Sequence, residues 1–192
     1  MRERNERWRM ASSWARKAFW GGWVGVLSLG GMVLANGGRK LSERARPRED
    51  VVTIVARHPD GKVFYRWRGH NLETNAGLDW QASVMGSTST PPATCNYLAL
   101  TATAITPAAT DTSLSGEITT NGLARAQGTY SHTTGASSYS IAHTWTATAA
   151  QSADAAGMFN AASSGTMCFE NTFTSVSLQA NDTLTLTWTV NY

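Results

Sequence analysis

From Val51 to the C-terminus, apolar side chains recur mostly at every second position. VVTIVAR (51–57) is a β-branched run, HPDGK (58–62) holds Pro and Asp-Gly turn chemistry, and VFYRWRG (63–69) alternates again. That pattern predicts a β-hairpin. In its second strand Val63, Tyr65 and Trp67 share one face while Phe64, Arg66 and Arg68 share the other, so one side is buried and the other is wet or meets a partner. The period then changes over 71–86. Leu78, Ala82 and Met85 fall at helical spacing, with Thr74 or Asn75 as cap and Gly86 as stop, which predicts one short helix.

STSTPPAT (87–94) is a loop, because Pro91-Pro92 has no place in a central strand. NYLAL (96–100) reads as a short buried strand, and 101–120 as irregular, with a helical turn expected over 111–117. GLARAQGTYSHT (122–133) and SSYSIAHTWTATA (137–149) flank Gly135 as a long hairpin. Strands are also expected over 153–161, 166–173 and 175–182. The clearest alternation closes the chain, where Leu184, Leu186, Trp188 and Val190 occupy one face and threonines the other.

About eight strands, one short helix and no βαβ alternation predict an all-β fold, an antiparallel β-sandwich of immunoglobulin-like or jelly-roll-like type spanning 51–192. A domain of about 140 residues buries enough surface to fold without a metal or a disulfide. From Gly86 onward there are 23 Thr, one Arg (Arg125), no Lys and five acids. Strand faces so poor in charge leave edges open to pairing, as expected of a protein built to assemble.

The charge is lopsided. Residues 1–50 hold 11 of the 16 Lys and Arg against 5 acids, whereas 51–192 hold 5 bases and 8 acids. The excess base therefore lies outside the folded part, and a nucleic-acid-binding face is not expected. Ala18 to Gly38 carries no charge but is diluted by glycine, a marginal span of 21 residues. Three readings of 1–50 follow: a signal (cleavage after Ala35) or membrane anchor, a basic arm that packs in an assembly, or upstream sequence before a start at Val51 or Val52.

Reactive groups are sparse. Cys95 and Cys168 read most simply as reduced, partly buried thiols, with one disulfide as the alternative if their strands are neighbours. His58 is a turn residue. Pairing about Gly135 sets His132 opposite Tyr139 and His143 roughly 13 Å further on, too far for shared coordination with His132. His70 completes the set, and no metal or cofactor is expected. The carboxylates at Glu73, Asp79, Asp111, Glu117, Asp154, Glu170 and Asp182 show no local pairing for acid/base work. No nucleophile elbow, zinc-protease or phosphate-loop motif occurs. Trp67, Trp80, Trp145 and Trp188 are better read as core than as a sugar platform.

The order of segments is more distinctive than any one of them. HNLETNAGLDW (70–80) is followed by NYLAL (96–100), TPAATDTSLSGEI (106–118), GLARA (122–126), AAGMFNAASSGTMCFE (155–170) and LQANDTLTLTWTVNY (178–192). In this order the chain resembles a widespread group of small structural proteins of tailed bacteriophages: tail, tail-fibre and other virion proteins. Met158 stands where the group has leucine, and Leu100-Thr101-Ala102 departs from its usual glycine-containing loop. The resemblance implies a non-enzymatic virion protein that contacts capsid or tail subunits and further copies of itself.

Candidate assembly contacts are Tyr65, Arg66, Trp67 and Arg68 of the hairpin, together with the loops 87–94 and 101–120. Asn75 and Gly77 are expected to reverse the chain into the helix, with Gly77 free to take a positive φ. Gly157 is expected to let the backbone bend between two strands, and Asn160 to open a polar turn. The alternative reading, resting on 18–38 and the tryptophans, is a secreted or membrane-anchored surface module such as an adhesin or carbohydrate binder.

Overall fold

The computed structural model describes residues 50–87 and 90–192. The readings offered for 1–49, and the tip of the 87–94 loop, lie outside the described residues. Among those described, no helix is long and apolar enough to cross a membrane.

The chain runs β1 (Val51–Arg57), β2 (Val63–His70), β3 (Leu72–Glu73), α1 (Asn75–Gly86), β4 (Tyr97–Thr101), β5 (Ala126–Gln127), β6 (Thr129–His132), β7 (Ser138–Thr146), β8 (Gln151–Phe159), β9 (Met167–Leu178) and β10 (Thr183–Asn191). Two antiparallel five-stranded sheets form the expected sandwich. One has the order β2-β1-β10-β7-β6 and the other β3-β9-β8-β4-β5. The strand count exceeds the expected eight because β3 and β5 are two residues long, too short to carry a period. Conversely, 166–173 and 175–182 join into the single strand β9. The helical turn expected over 111–117 is absent: Gly116 takes a left-handed φ of 64° there, and Glu117 bridges Thr101.

Alternation explains the first sheet. In β10 Leu184, Leu186, Trp188 and Val190 are all buried, and the strand lies between β1 and β7 with Leu186 opposite Ile54 and Trp188 opposite Ile141. Trp188 packs on Phe169 of the second sheet at 6.1 Å between ring centroids. The predicted β1–β2 hairpin is present, and the Gly135 turn does set His132 opposite Tyr139. The long hairpin is shorter than expected on its first arm, where Gly128 separates β5 from β6.

Two strands pass from one sheet to the other and thereby close the sides of the sandwich. The β2–β3 segment turns at Asn71 from the first sheet's edge to the second's, and β5–β6 does the same at Gly128. A Cβ at Gly128 would meet Ile141 Cγ2 at 2.4 Å, so only glycine admits this passage. On the opposite side the Tyr65 hydroxyl donates to the Thr174 carbonyl and Asn171 Nδ2 to that of His70, which holds β2 against β9.

Strand β9 hides its period because both of its faces are covered. Met167 to Asn171 are buried consecutively, with the core on one side and α1 on the other. Thr74 caps the helix by accepting from Gly77 N at 2.9 Å, and its hydroxyl donates to Met167 O at 2.6 Å. Gly77 does not take a positive φ. It is required for contact instead, since a Cβ would stand 2.1 Å from Cys168 O. Gly157 likewise lies inside β8, paired with Ala99 and Glu170, and its missing side chain makes room for Phe159 and Met167. The helical spacing of Leu78, Ala82 and Met85 located α1 but not its inward face: Gly77 is buried, while Leu78 and Met85 are exposed.

Candidate assembly surfaces and buried polar sites

The hairpin nominated for assembly divides as its alternation requires. Tyr65 and Trp67 are partly buried and pack onto the core, Trp67 against Phe173 at 6.0 Å. Burial and then the nearby Asp154 raise the Tyr65 phenol above its usual pKa. Arg66 and Arg68 are exposed on the outer face with Phe64. His58 stacks on Phe64 at 4.2 Å, and its Nδ1 lies 3.0 Å from Asp182 Oδ1. The result is a basic, partly aromatic strip along one edge of the first sheet.

The other half of that sheet has the opposite character. Between Arg125 and Asp154 the sequence has no Asp, Glu, Lys or Arg, and from Thr183 to Tyr192 it has none again. β6, β7 and β10 are therefore free of charged side chains. Every residue of β6 is exposed, and Tyr130 is 60% exposed. Tyr130, Tyr139 and Tyr192 form an aromatic group with centroid separations of 5.6 and 6.3 Å. Burial pushes the Tyr139 phenol up to about 12, so it stays a neutral hydroxyl.

The loop 101–120 is only partly an exposed element. Leu114 and Ile118 are buried, and Thr101 Oγ1 donates to Ser115 O and Gly116 O. Arg125, the only Lys or Arg after Arg68, is consumed internally. Its Nε donates to Glu117 Oε1 at 2.8 Å, its Nη1 to Ala161 O and Ser164 O, and its guanidinium lies 3.6 Å from the Phe159 ring centroid. Asn160, expected to open a turn, does so: its Oδ1 accepts from Thr166 N at 2.7 Å. Asn75 N donates to Ala109 O and ties the helix start to the loop.

Folding pairs two carboxyls that the sequence left apart. Ala108 N donates to Glu170 Oε1 at 2.8 Å and to Asp111 Oδ2 at 3.0 Å, so both acids crowd one amide. Burial foremost, with Asp111 adding to it, raises Glu170 to about 7. Glu170 is 1% exposed, so a substrate reaches it only if the covering loop moves away. No local signal announced the pair, because a loop and a distant strand supply its members.

Cys95 and Cys168 are joined in a disulfide with Cα atoms 6.5 Å apart, which corrects the reduced-thiol reading. The four histidines are dispersed: His58 binds Asp182, His70 Nδ1 lies 3.3 Å from Asp50 O, His132 donates to Ser138 O, and His143 to Gln127 O. Of the tryptophans, Trp145 and Trp188 are buried, and Trp67 and Trp80 are packed against the core. No protein-family model, curated protein or solved structure matches the chain.

Proposed function

We propose that this chain is a non-enzymatic structural protein of a bacteriophage particle, tail-associated or decorating the capsid, that works by repeated protein–protein contact. The observation that carries the reading is the exposed, uncharged half of the first sheet: β6, β7 and β10 present Thr, Ser and Tyr without one charged side chain. Such a surface costs little to desolvate and is suited to burial in an assembly. The ordered motifs of 70–192 favour the same class. The basic strip at Arg66 and Arg68 is suited to acidic neighbours on capsid or tail subunits, and copies of the chain meet through the neutral half. Nucleic acid is no partner in this reading, because the described domain has too few cations to neutralise a phosphate track. The test is to purify particles on a density gradient and probe for the chain. Co-sedimentation at constant stoichiometry supports the proposal, and recovery only in the soluble fraction refutes it.

One observation favours a second reading, an exported or membrane-anchored surface module. The Cys95–Cys168 disulfide persists in an oxidising compartment. Mapping the mature N-terminus separates the two. Cleavage after Ala35 indicates export, a start at Val51 or Val52 indicates the virion protein, and an intact Met1 indicates an arm or anchor.

A further inference from the structure

The sandwich protects its edges unequally. β2 carries Arg66 and Arg68, and is held to β9 through Tyr65 and Asn171. β3 and β5 are two residues long. The part of β9 that extends beyond β3 is irregular: with Thr172 opposite Ala155 and Val176 opposite Ala153, the residues between them face Asp154 alone. Charge, shortness and bulging are the usual means of keeping a strand edge from recruiting another chain. β6 has neither charge nor bulge, and it is twice the length of β3 or β5. It is four residues long, Thr-Tyr-Ser-His, exposed throughout, in regular register with β7 and without Gly, Pro or charge.

We propose that β6 is a self-pairing edge, at which two copies of this chain join antiparallel about a two-fold axis and continue the first sheet across the interface. Alternate residues of β6 turn both N–H and C=O away from β7, and antiparallel pairing of identical edges satisfies them on both sides. Charge selects a second copy. A basic or acidic partner finds no counter-charge on β6, β7 or β10, whereas the same edge is neutral and self-complementary. The β2 edge is unsuited to this role, because its own arginines would face each other. Pairing at β6 also shelters Tyr130. The choice of a second copy rests on the assembly reading above.

The full chain should self-associate in sedimentation velocity. Lys at both Thr129 and Ser131, which share the outer face of β6, sets like charges against each other across the two-fold axis. The T129K/S131K variant should therefore weaken self-association at least about tenfold. Its circular dichroism should stay unchanged, and its thermal transition should match that of wild type diluted to the monomer, because both positions are exposed. A control on the other edge, Arg66→Ala, should leave association as it was. In Ser131→Cys the added thiol should couple copy to copy through a short bifunctional linker. Self-association unchanged in T129K/S131K overturns the β6 pairing and leaves the assembly reading intact. A wild-type chain that is monomeric at every concentration also overturns the pairing, and the assembly reading is then decided separately by the chain's presence in particles.

Discussion

Asp111 and Glu170 accept from the same backbone N–H, that of Ala108, at 3.0 and 2.8 Å. A second negative charge so close by in a buried place is costly, so Glu170 holds its proton to a higher pH than a free carboxyl. Glu170 is raised from 4.5 to about 7, by burial first and by Asp111 second. The folded state therefore binds more protons than the unfolded chain between these values. This group's contribution favours folding below pH 4.5, and stability falls as pH rises toward 7. Glu170→Gln keeps a neutral side chain at all pH. It should remove most of that decline and stabilise the domain at pH 8 by roughly 2–3 kcal/mol. Urea titrations at pH 5 and pH 8 measure both.

Asp182 behaves with the opposite sign. The Gln179 N–H, 2.8 Å from Oδ2, and then His58 hold its carboxyl below the usual range. Its contribution is present above the unfolded pKa near 3.8 and is lost as pH falls through the lower folded value. Asp182→Ala strips the β9–β10 turn of an acceptor in a buried position and should cost about 2 kcal/mol. His58 is half-exposed, and His58→Ala should cost less than about 1 kcal/mol. Thermal melts of the two variants at neutral pH should show the unequal losses.

Glycine is required at Gly77 and merely convenient at Gly135. A Cβ at Gly77 would strike the backbone carbonyl of Cys168, in a place where neither helix nor strand can yield. Gly77→Ala should destabilise by about 3 kcal/mol or displace α1 altogether. Gly135 has a φ of 82° but open space around it, so Gly135→Ala should cost about 1 kcal/mol. Denaturant midpoints with unchanged slopes would establish the ranking.

These positions mark how far the sequence could be read. The hairpin, the helix with its Thr74 cap and the alternating β10 were legible, because each is specified by neighbours within a few residues. The two-residue strands were not, and neither was the inward face of α1: a helix that packs through Gly77 rather than a leucine stripe leaves no hydrophobic signature. Of the nominated contacts, Tyr65 and Trp67 obeyed their alternation and went inward, which leaves Arg66 and Arg68 outside. The Asp111–Glu170 pair was illegible because a loop and a distant strand supply its members. The β6–β7 register was legible from the Gly135 turn, but the position of β6 as the edge of the sheet was not, because it depends on the order of all five strands.

The disulfide closes a loop with a sequence separation of 73. Chain entropy alone assigns a closure of that length about 4 kcal/mol. Reduction under native conditions, or Cys95→Ser with Cys168→Ser, should lower stability by that order. Melts with and without reductant give the difference, and a double serine variant insensitive to reductant confirms its origin.

The central claim is that this chain serves as a repeated part of a particle. Imaging of purified virions at a resolution that traces strands, with the chain's density counted around the particle, tests it most directly. The account predicts this sandwich at every equivalent position of one symmetric layer or ring, in a fixed copy number. Particles of full composition that lack the chain, with the protein present only as a free monomer outside them, would contradict it.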